Sequence, residues 1–485
     1  MKTSGHSLSQ GGIVSSTTIV IFTLIAYKVS LLLIGFWASR RIHSESDFFI
    51  AGKGSGGGLG AWTAGLSYAA STSSAWVLLG YTGFVFTAGL KALWLVPGIF
   101  AGYLLTWLVM GPRLNAETEA KHHITMIDFM IEDADVTWRR RIGRLSAVLI
   151  IFCFAFYVAA QFQAAGNAFS SVFGLGMIES VILGAVIIVA YCLMGGFWAA
   201  SITDMLQAVV MLAACLIVPF VTVMAAGGIG DVFSTLKATA PETYFTFSGG
   251  AAGVTALGVG IGLLGTGLGA PGQPQLLNRV MAVKDRKARL QAALITVGWG
   301  TLVYIGVTLL AFAARALMPE VAAEQIFFVA AGKYLPPVMA GIVIAAILSA
   351  VMSTVDSLLL AAASAVSHDF GSTHLLPKNK LLAGRIAMVV IAIASVILTL
   401  SIPDSIFKRV LFSWVALGAA FGPATLSRCL GWKVKGGHVF FAVLTGFLIA
   451  AIASGISGLY ADLIEKWGSW IAGFVILWLG RRPTS

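Results

Sequence analysis

The sequence predicts an all-α polytopic membrane protein, and three observations carry that prediction. Of its 485 residues, 58% are hydrophobic and only 11% are charged, whereas soluble domains carry roughly 25% charged residues. The mean hydropathy of +0.92 leaves too little polar surface to clothe several soluble domains. The apolar residues also fall in runs of about 20 residues, the length that crosses a hydrocarbon layer as a helix.

Thirteen spans are expected, near 17–38, 59–88, 92–111, 143–171, 177–196, 203–226, 252–270, 288–316, 337–366, 383–402, 407–428, 436–456 and 460–480. The first follows a polar start, "MKTSGHSLSQGG", without the charged-then-apolar pattern of a cleaved signal, so it should remain as a span. The second contains "AGLSYAASTSSAW" (Ala64 to Trp76), made almost wholly of small and hydroxylated residues. The third to sixth are rich in Leu, Ile, Val and Ala. The seventh holds Gly258, Gly260, Gly262, Gly265, Gly267 and Gly269, followed by Pro271 and Pro274. Each glycine costs a helix about 1 kcal/mol relative to alanine. The second and seventh spans should therefore be interrupted, and unwound backbone in a membrane must line a cavity or find partners. Freed carbonyls suit a small cation, and half-helix N-termini suit an anionic group.

These two spans are five apart, so they enter from opposite sides. That spacing predicts a five-plus-five inverted repeat, spans two to six (59–226) against seven to eleven (252–428). Residues 1–58 and 436–485 would be additions: the first span with its cytoplasmic loop, and the last two spans with a short tail.

The ninth span carries "SAVMSTVDSLLLAAAS" (Ser349 to Ser364) at its centre. Ala350, Ser353, Thr354 and Ser357 recur at i, i+3, i+4 and i+7, which is one helix face. Two hydroxyls on that face, with bare carbonyls from a broken partner, would make an all-oxygen cage for a monovalent cation. The same pattern also serves helix packing. Asp356 flanks the cage, and a mid-membrane acid usually marks an ion or proton path.

With the N-terminus outside, the inward loops hold 22 of the 31 lysines and arginines and the outward loops eight. Arg279 and Arg428 count among the inward set and Arg409 among the outward. Lys28 lies inside the first span. The bias places the C-terminus in the cytoplasm, and it accounts for the formal charge of +11 without a nucleic-acid partner. Cys153, Cys192, Cys215 and Cys429 form no CxxC pair and read as packing residues. "GKGSGGG" (Gly52 to Gly58) has no strand before it and reads as a loop. His122 and His123 lack a spaced third ligand for a metal site. "TWRRRIGR" (Thr137 to Arg144) reads as a topology anchor. No cofactor motif, nucleophile–base pair or metal-ligand cluster stands out, so an enzyme has little support.

At the ninth-span residues the chain resembles the sodium/solute symporter family, most nearly its sodium/proline branch. The resemblance runs nearly end to end through "SDFFIAGKG", "GGFWAASITDMLQA", "GQPQLLNRVMA", "AGIVIAAILSAVMST" and "GAAFGPATL". It implies a LeuT-type core within thirteen spans and a multi-pass protein of the cell membrane. By the same resemblance a sodium site falls on the carbonyls of Ala70, Ser73 and Ala350 and the hydroxyls of Ser353 and Thr354. Asp204 matches an aspartate tied to sodium coupling, and Ser74, Trp76, Gly80 and Tyr157 match solute-pocket residues. Thr266 and Ala270 stand where the proline branch carries Trp and Tyr, a loss expected to widen the pocket. Thr72 stands where that branch has Asp beside the sodium site.

The function expected is secondary active transport: sodium-coupled uptake of a small polar organic solute, foremost an amino acid such as proline. Partners would be the solute, sodium and the bilayer. A proton-coupled symporter, or a symporter for a carboxylate or sugar acid, shares the fold. A membrane-embedded sensor and a channel are rivals of another class. The sequence carries no signalling module after its last span, which tells against the sensor.

Overall fold

The computed structural model describes residues 57–482, apart from 194–195, 370–379 and 403, together with positions 18, 22, 25, 26, 29, 30, 33, 34 and 49–51. Most of the first expected span, Lys28 and most of "SDFFIAGKG" lie outside the described residues.

The second expected span is divided. Helix α1 (Ala61–Thr72) stops, and after Ser73 and Ser74 a π-helical segment (Trp76–Tyr81) leads into α2 (Thr82–Ala88). The hydroxyl run breaks the helix from within. The Thr72 hydroxyl donates back to the Ala69 carbonyl at 2.9 Å, and Ser73 leaves helical space at φ −96°, ψ 55°. Helix α3 (Leu95–Leu104) passes through a π-helical segment (Leu105–Met110) into α4 (Gly111–Lys121). The short α5 (Met126–Ile131) starts on a reciprocal cap between Thr125 and Asp128. The long α6 (Val136–Phe173) is capped by Asp135 and ends at Gly174, φ +64°. Helices α7 (Met177–Cys192) and α8 (Phe197–Ala225) complete the first half. An amphipathic α9 (Ile229–Thr239), unassigned from the sequence, joins the halves.

The second half opens with α10 (Gly253–Leu264), a 3₁₀ stretch (Gly265–Gly272) and α11 (Pro274–Ala282), so the glycine-rich span is broken as its composition requires. Then follow α12 (Arg286–Leu317), α13 (Ile326–Tyr334), α14 (Pro337–Ser364), α15 (Lys380–Ser401) and α16 (Ile406–Cys429). Helices α17 (Gly436–Ser454), α18 (Leu459–Leu463) and, past a π turn at Ile464–Gly468, α19 (Ser469–Leu479) end the chain.

Among the described residues, nine helical stretches are long and apolar enough to cross a membrane, and Met177–Cys192 is a shorter apolar helix. Several turn bare apolar side chains outward, such as Val254, Leu294 and Ile452. That is the surface lipid would cover.

The two broken helices run in opposite directions. Leu59, before α1, pairs with the end of α11: its N–H donates to the Ala282 carbonyl at 2.8 Å, and the Lys284 N–H donates to the Leu59 carbonyl at 3.0 Å. One interrupted helix thus begins where the other ends. Around them α8, α12 and α14 pack against α1, while α16 and α3 pack against the 3₁₀ stretch. The approach is backbone to backbone: a Cβ on Gly267 would lie 1.8 Å from the Gly98 carbonyl oxygen. Glycine is required at that crossing.

Candidate functional site

The interruption in α1 frees carbonyls, because the last turn of a helix has no partners ahead of it. Helix α14 lies alongside and turns its hydroxyl face to them. The Ser353 hydroxyl is 3.4 Å from the Ala70 carbonyl and 3.2 Å from the Ala350 carbonyl. The Thr354 hydroxyl is 3.5 Å from the Ser71 carbonyl. Both side chains are buried at 1% exposure. Of the expected cage, Ala70, Ala350, Ser353 and Thr354 are brought together. Ser73 sits at the break itself, and the Ser71 carbonyl joins the group unexpectedly. A set of neutral hydroxyl and carbonyl oxygens fits a hard monovalent cation.

Beneath the cage lies a buried polar network that the sequence analysis missed. Arg279 on α11 is 1% exposed. Its Nη2 donates to Asp204 Oδ2 at 2.7 Å and to the Ser357 hydroxyl at 2.6 Å. Its Nε donates to the Ser67 hydroxyl at 2.7 Å, and Nη1 to the Gln275 carbonyl at 2.6 Å. Ser67 also donates to Asp204 at 2.7 Å. Ser357 shares a hydrogen bond with Ser71 and donates to the Ser353 carbonyl at 2.6 Å. Residues from α1, α8, α11 and α14 therefore meet at one guanidinium directly below the cage. Arg279 is no loop charge, as its count among the inward loops implied. It is a buried cation whose cost is offset by Asp204 and by hydrogen bonds from four of its five N–H groups. Arg409 and Arg428, counted as loop charges, are likewise buried at 4% and 5%.

Asp356 is buried beside Cys192, with Oδ1 lacking a hydrogen-bond partner. It flanks the cage, as its angle on the helix predicts.

On the other side of the cage lies a narrow cavity bounded by Thr72, Trp76, Tyr103, Tyr157, Thr266, Val410 and Trp414 among others. Of the six expected solute residues, Trp76, Tyr157 and Thr266 line it. Ser74 instead braces the break, receiving hydrogen bonds from the Trp76 N–H at 3.1 Å and from Gln161 at 3.4 Å. Gly80 backs onto Phe407 in a separate, wider mouth. Ala270 packs toward Gly102.

Beside Thr266 stands Trp414 of α16, whose Nε1 donates to the Thr266 carbonyl at 2.8 Å. Its ring lies so close to Gly269 that a Cβ there would be 2.0 Å from it. Tyr103 supplies a further aromatic wall. Thr72 lines this cavity. The Trp76 ring stacks on Phe407 at 5.8 Å, 14° from parallel, and Phe407 on Phe84 at 4.9 Å. That stack separates the cavity from the wider mouth, at the membrane face opposite Leu59 and Arg279.

All four cysteines are free thiols. His123 pairs with Glu132 at 3.2 Å. His368, at the end of the α14 span, contacts Asp128 at 3.0 Å.

Comparison with known proteins agrees with this architecture. The pattern described as the sodium:solute symporter family matches residues 48–446. The osmoregulated proline transporter OpuE of Bacillus subtilis is 32% identical over 482 residues, spanning 96% of this chain and 95% of its own. The sodium/proline symporter of Escherichia coli is 30% identical over 490 residues, spanning 97% and 95%. The solved structure of a Na⁺-coupled sialic acid symporter superposes with a TM-score of 0.77 at 17% identity, covering 96% of this chain and 99% of that one. A nucleobase-cation-symport-1 family transporter follows at a TM-score of 0.55 and 14% identity, covering 90% and 94%.

Proposed function

The chain belongs to the sodium:solute symporter family, and from that premise we propose that it is a multi-pass carrier driving proline, or a close relative of it, into the cell with sodium. The observation that supports this reading best is the shared wall of two sites. The unwound turn Ala70–Ser73 offers carbonyls to the α14 hydroxyls on one side, and Thr72 and Trp76 to the solute cavity on the other.

Sodium held by Ala70, Ser73, Ala350, Ser353 and Thr354 ties α1 to α14 and fixes the interrupted turn. That turn is a wall of the solute cavity, so ion and solute each order what the other needs. The coupling is reciprocal, each raising the other's affinity by the same factor. Asp204 is neutralised by Arg279 in the network that closes the path below the cage. The Trp76–Phe407 stack closes the path above. Transport requires the two closures to open alternately. In this reading the N-terminus is outside and the C-terminus cytoplasmic, so Arg279 guards the cytoplasmic side. The repeats are 59–226 and 252–428, with 1–58 and 436–485 outside them.

A second reading keeps the carrier and couples it to protons, favoured by the unpartnered Oδ1 of Asp356. Reconstitution in liposomes decides between them, with labelled solutes tested under a sodium gradient and a proton gradient separately. Accumulation driven by sodium alone supports the first reading. Accumulation driven by protons without sodium supports the second, and equilibration without accumulation overturns both.

A further inference from the structure

The solute cavity has a chemistry of its own. It is walled by four aromatic side chains, Trp76, Tyr103, Tyr157 and Trp414, and none of the described residues lining it is charged. A primary ammonium brings three N–H donors and a strong hydration shell, which aromatic faces do not replace. An alkyl-substituted ammonium has few or no donors to satisfy and a charge spread over its carbons. Aromatic faces attract such a cation without a carboxylate counter-charge. The carboxylate end finds different partners. Trp76 Nε1 and the Thr266 hydroxyl are both buried and lack hydrogen-bond partners, and both belong to residues lining this cavity. The indole N–H is a donor only, and the hydroxyl can donate, so together they suit an anionic oxygen.

We propose that the solute is a small zwitterion whose cationic nitrogen carries alkyl substituents, from secondary as in proline to quaternary as in betaines. Its nitrogen sits in the aromatic box and its carboxylate on Trp76 Nε1 and the Thr266 hydroxyl. Trp414 is the specificity-determining wall. It occupies the space beside Thr266 and is pinned there by its hydrogen bond to the Thr266 carbonyl. This rests on the symport reading above, whose site it specifies.

The test is sodium-driven uptake into liposomes of labelled proline, glycine betaine, N,N-dimethylproline and alanine. Competition by 3,3-dimethylbutyrate, the uncharged-carbon isostere of glycine betaine, is measured alongside. The proposal expects glycine betaine and N,N-dimethylproline to be carried or to compete with proline. It expects alanine and the isostere to be at least about tenfold weaker. Trp414→Leu should lower affinity for the alkylated ammonium compounds about tenfold, and Trp414→Phe by less. Sodium-induced thermal stabilisation reports that each variant is folded. Alanine or the isostere matching glycine betaine overturns the proposal while sodium-driven uptake stands. So does a folded Trp414→Leu with unchanged preference. Failure of every solute to respond to sodium overturns the symport reading and this proposal with it.

Discussion

Arg279 and Asp204 form an ion pair 2.7 Å long in which both side chains are only 1% exposed. One lies on a half-helix of the second repeat and the other near the start of α8 in the first. A pair this deep is favourable only as a pair, and removing one partner strands a charge at a cost of about 3–5 kcal/mol.

Arg279→Gln and Asp204→Asn should each lower the thermal midpoint of the purified protein strongly. The double variant should recover much of the loss, because no charge is left uncompensated. Thermal denaturation of the four proteins, read as a double-mutant cycle, checks this. Additive losses would mean that the two side chains do not stabilise each other.

Replacing Ser353 and Thr354 together by alanine removes both side-chain oxygens facing the Ala70 and Ser71 carbonyls. The sodium concentration for half-maximal uptake should rise by about tenfold or more, a loss of ~1.4 kcal/mol. An unaltered sodium response would place the ion elsewhere.

The unpartnered oxygen of Asp356 gives the proton reading its own test. Under a pH gradient imposed without sodium, the native protein should accumulate no solute. Accumulation that disappears in Asp356→Asn would transfer the coupling role from sodium to the proton.

Phe407 covers the solute cavity through its stack on Trp76. Phe407→Ala should expose a cysteine placed at Val410, which is buried and lines that cavity. A membrane-impermeant maleimide should then label it several-fold faster than in the Phe407 background. The partly exposed Cys429 is first replaced by serine, and Cys153, Cys192 and Cys215 are buried, so background labelling is low. Equal rates would show that another group seals this side.

Asp128 caps α5 and receives His368. Burial alone would raise its carboxyl. The hydrogen bond and charge of His368, with the Ile124 and Thr125 N–H groups, outweigh that and hold it below the usual range. A depressed carboxyl contributes stability above its unfolded value of about 3.9 and loses it as pH falls through the lower folded value. Asp128→Asn keeps an acceptor for the Ile124 and Thr125 N–H groups but loses the charge, so it should destabilise at neutral pH by about 0.3–1 kcal/mol. The difference from the native protein should vanish in strong acid. Thermal midpoints measured against pH check the sign.

The outline of the fold was legible because each device has a compositional cause. The serine–threonine run ends α1, and the glycines with Pro271 and Pro274 unwind the seventh span. The helical spacing of Ala350, Ser353, Thr354 and Ser357 points one face at one partner. What escaped was every contact across sequence distance. Arg279 resembles a loop charge until its four partners are seen. Trp414 is one more aromatic in an apolar helix until its place over Gly269 is known. Thr266 shows in sequence only what its own span carries, and nothing of the tryptophan that a distant helix sets against its carbonyl.

The pairing of Leu59 with Ala282 and Lys284 carries a mechanical implication. Those hydrogen bonds are made wholly by main chain, and the Asn115 amide braces them by donating to the Met281 and Val283 carbonyls. The joint stitches the root of one interrupted helix to the foot of the other, and a rotation imposed on either is handed to its counterpart. The two unwound segments then behave as one lever with a common fulcrum. A residue that deletes an amide hydrogen, such as proline in place of Lys284, would let them swing apart.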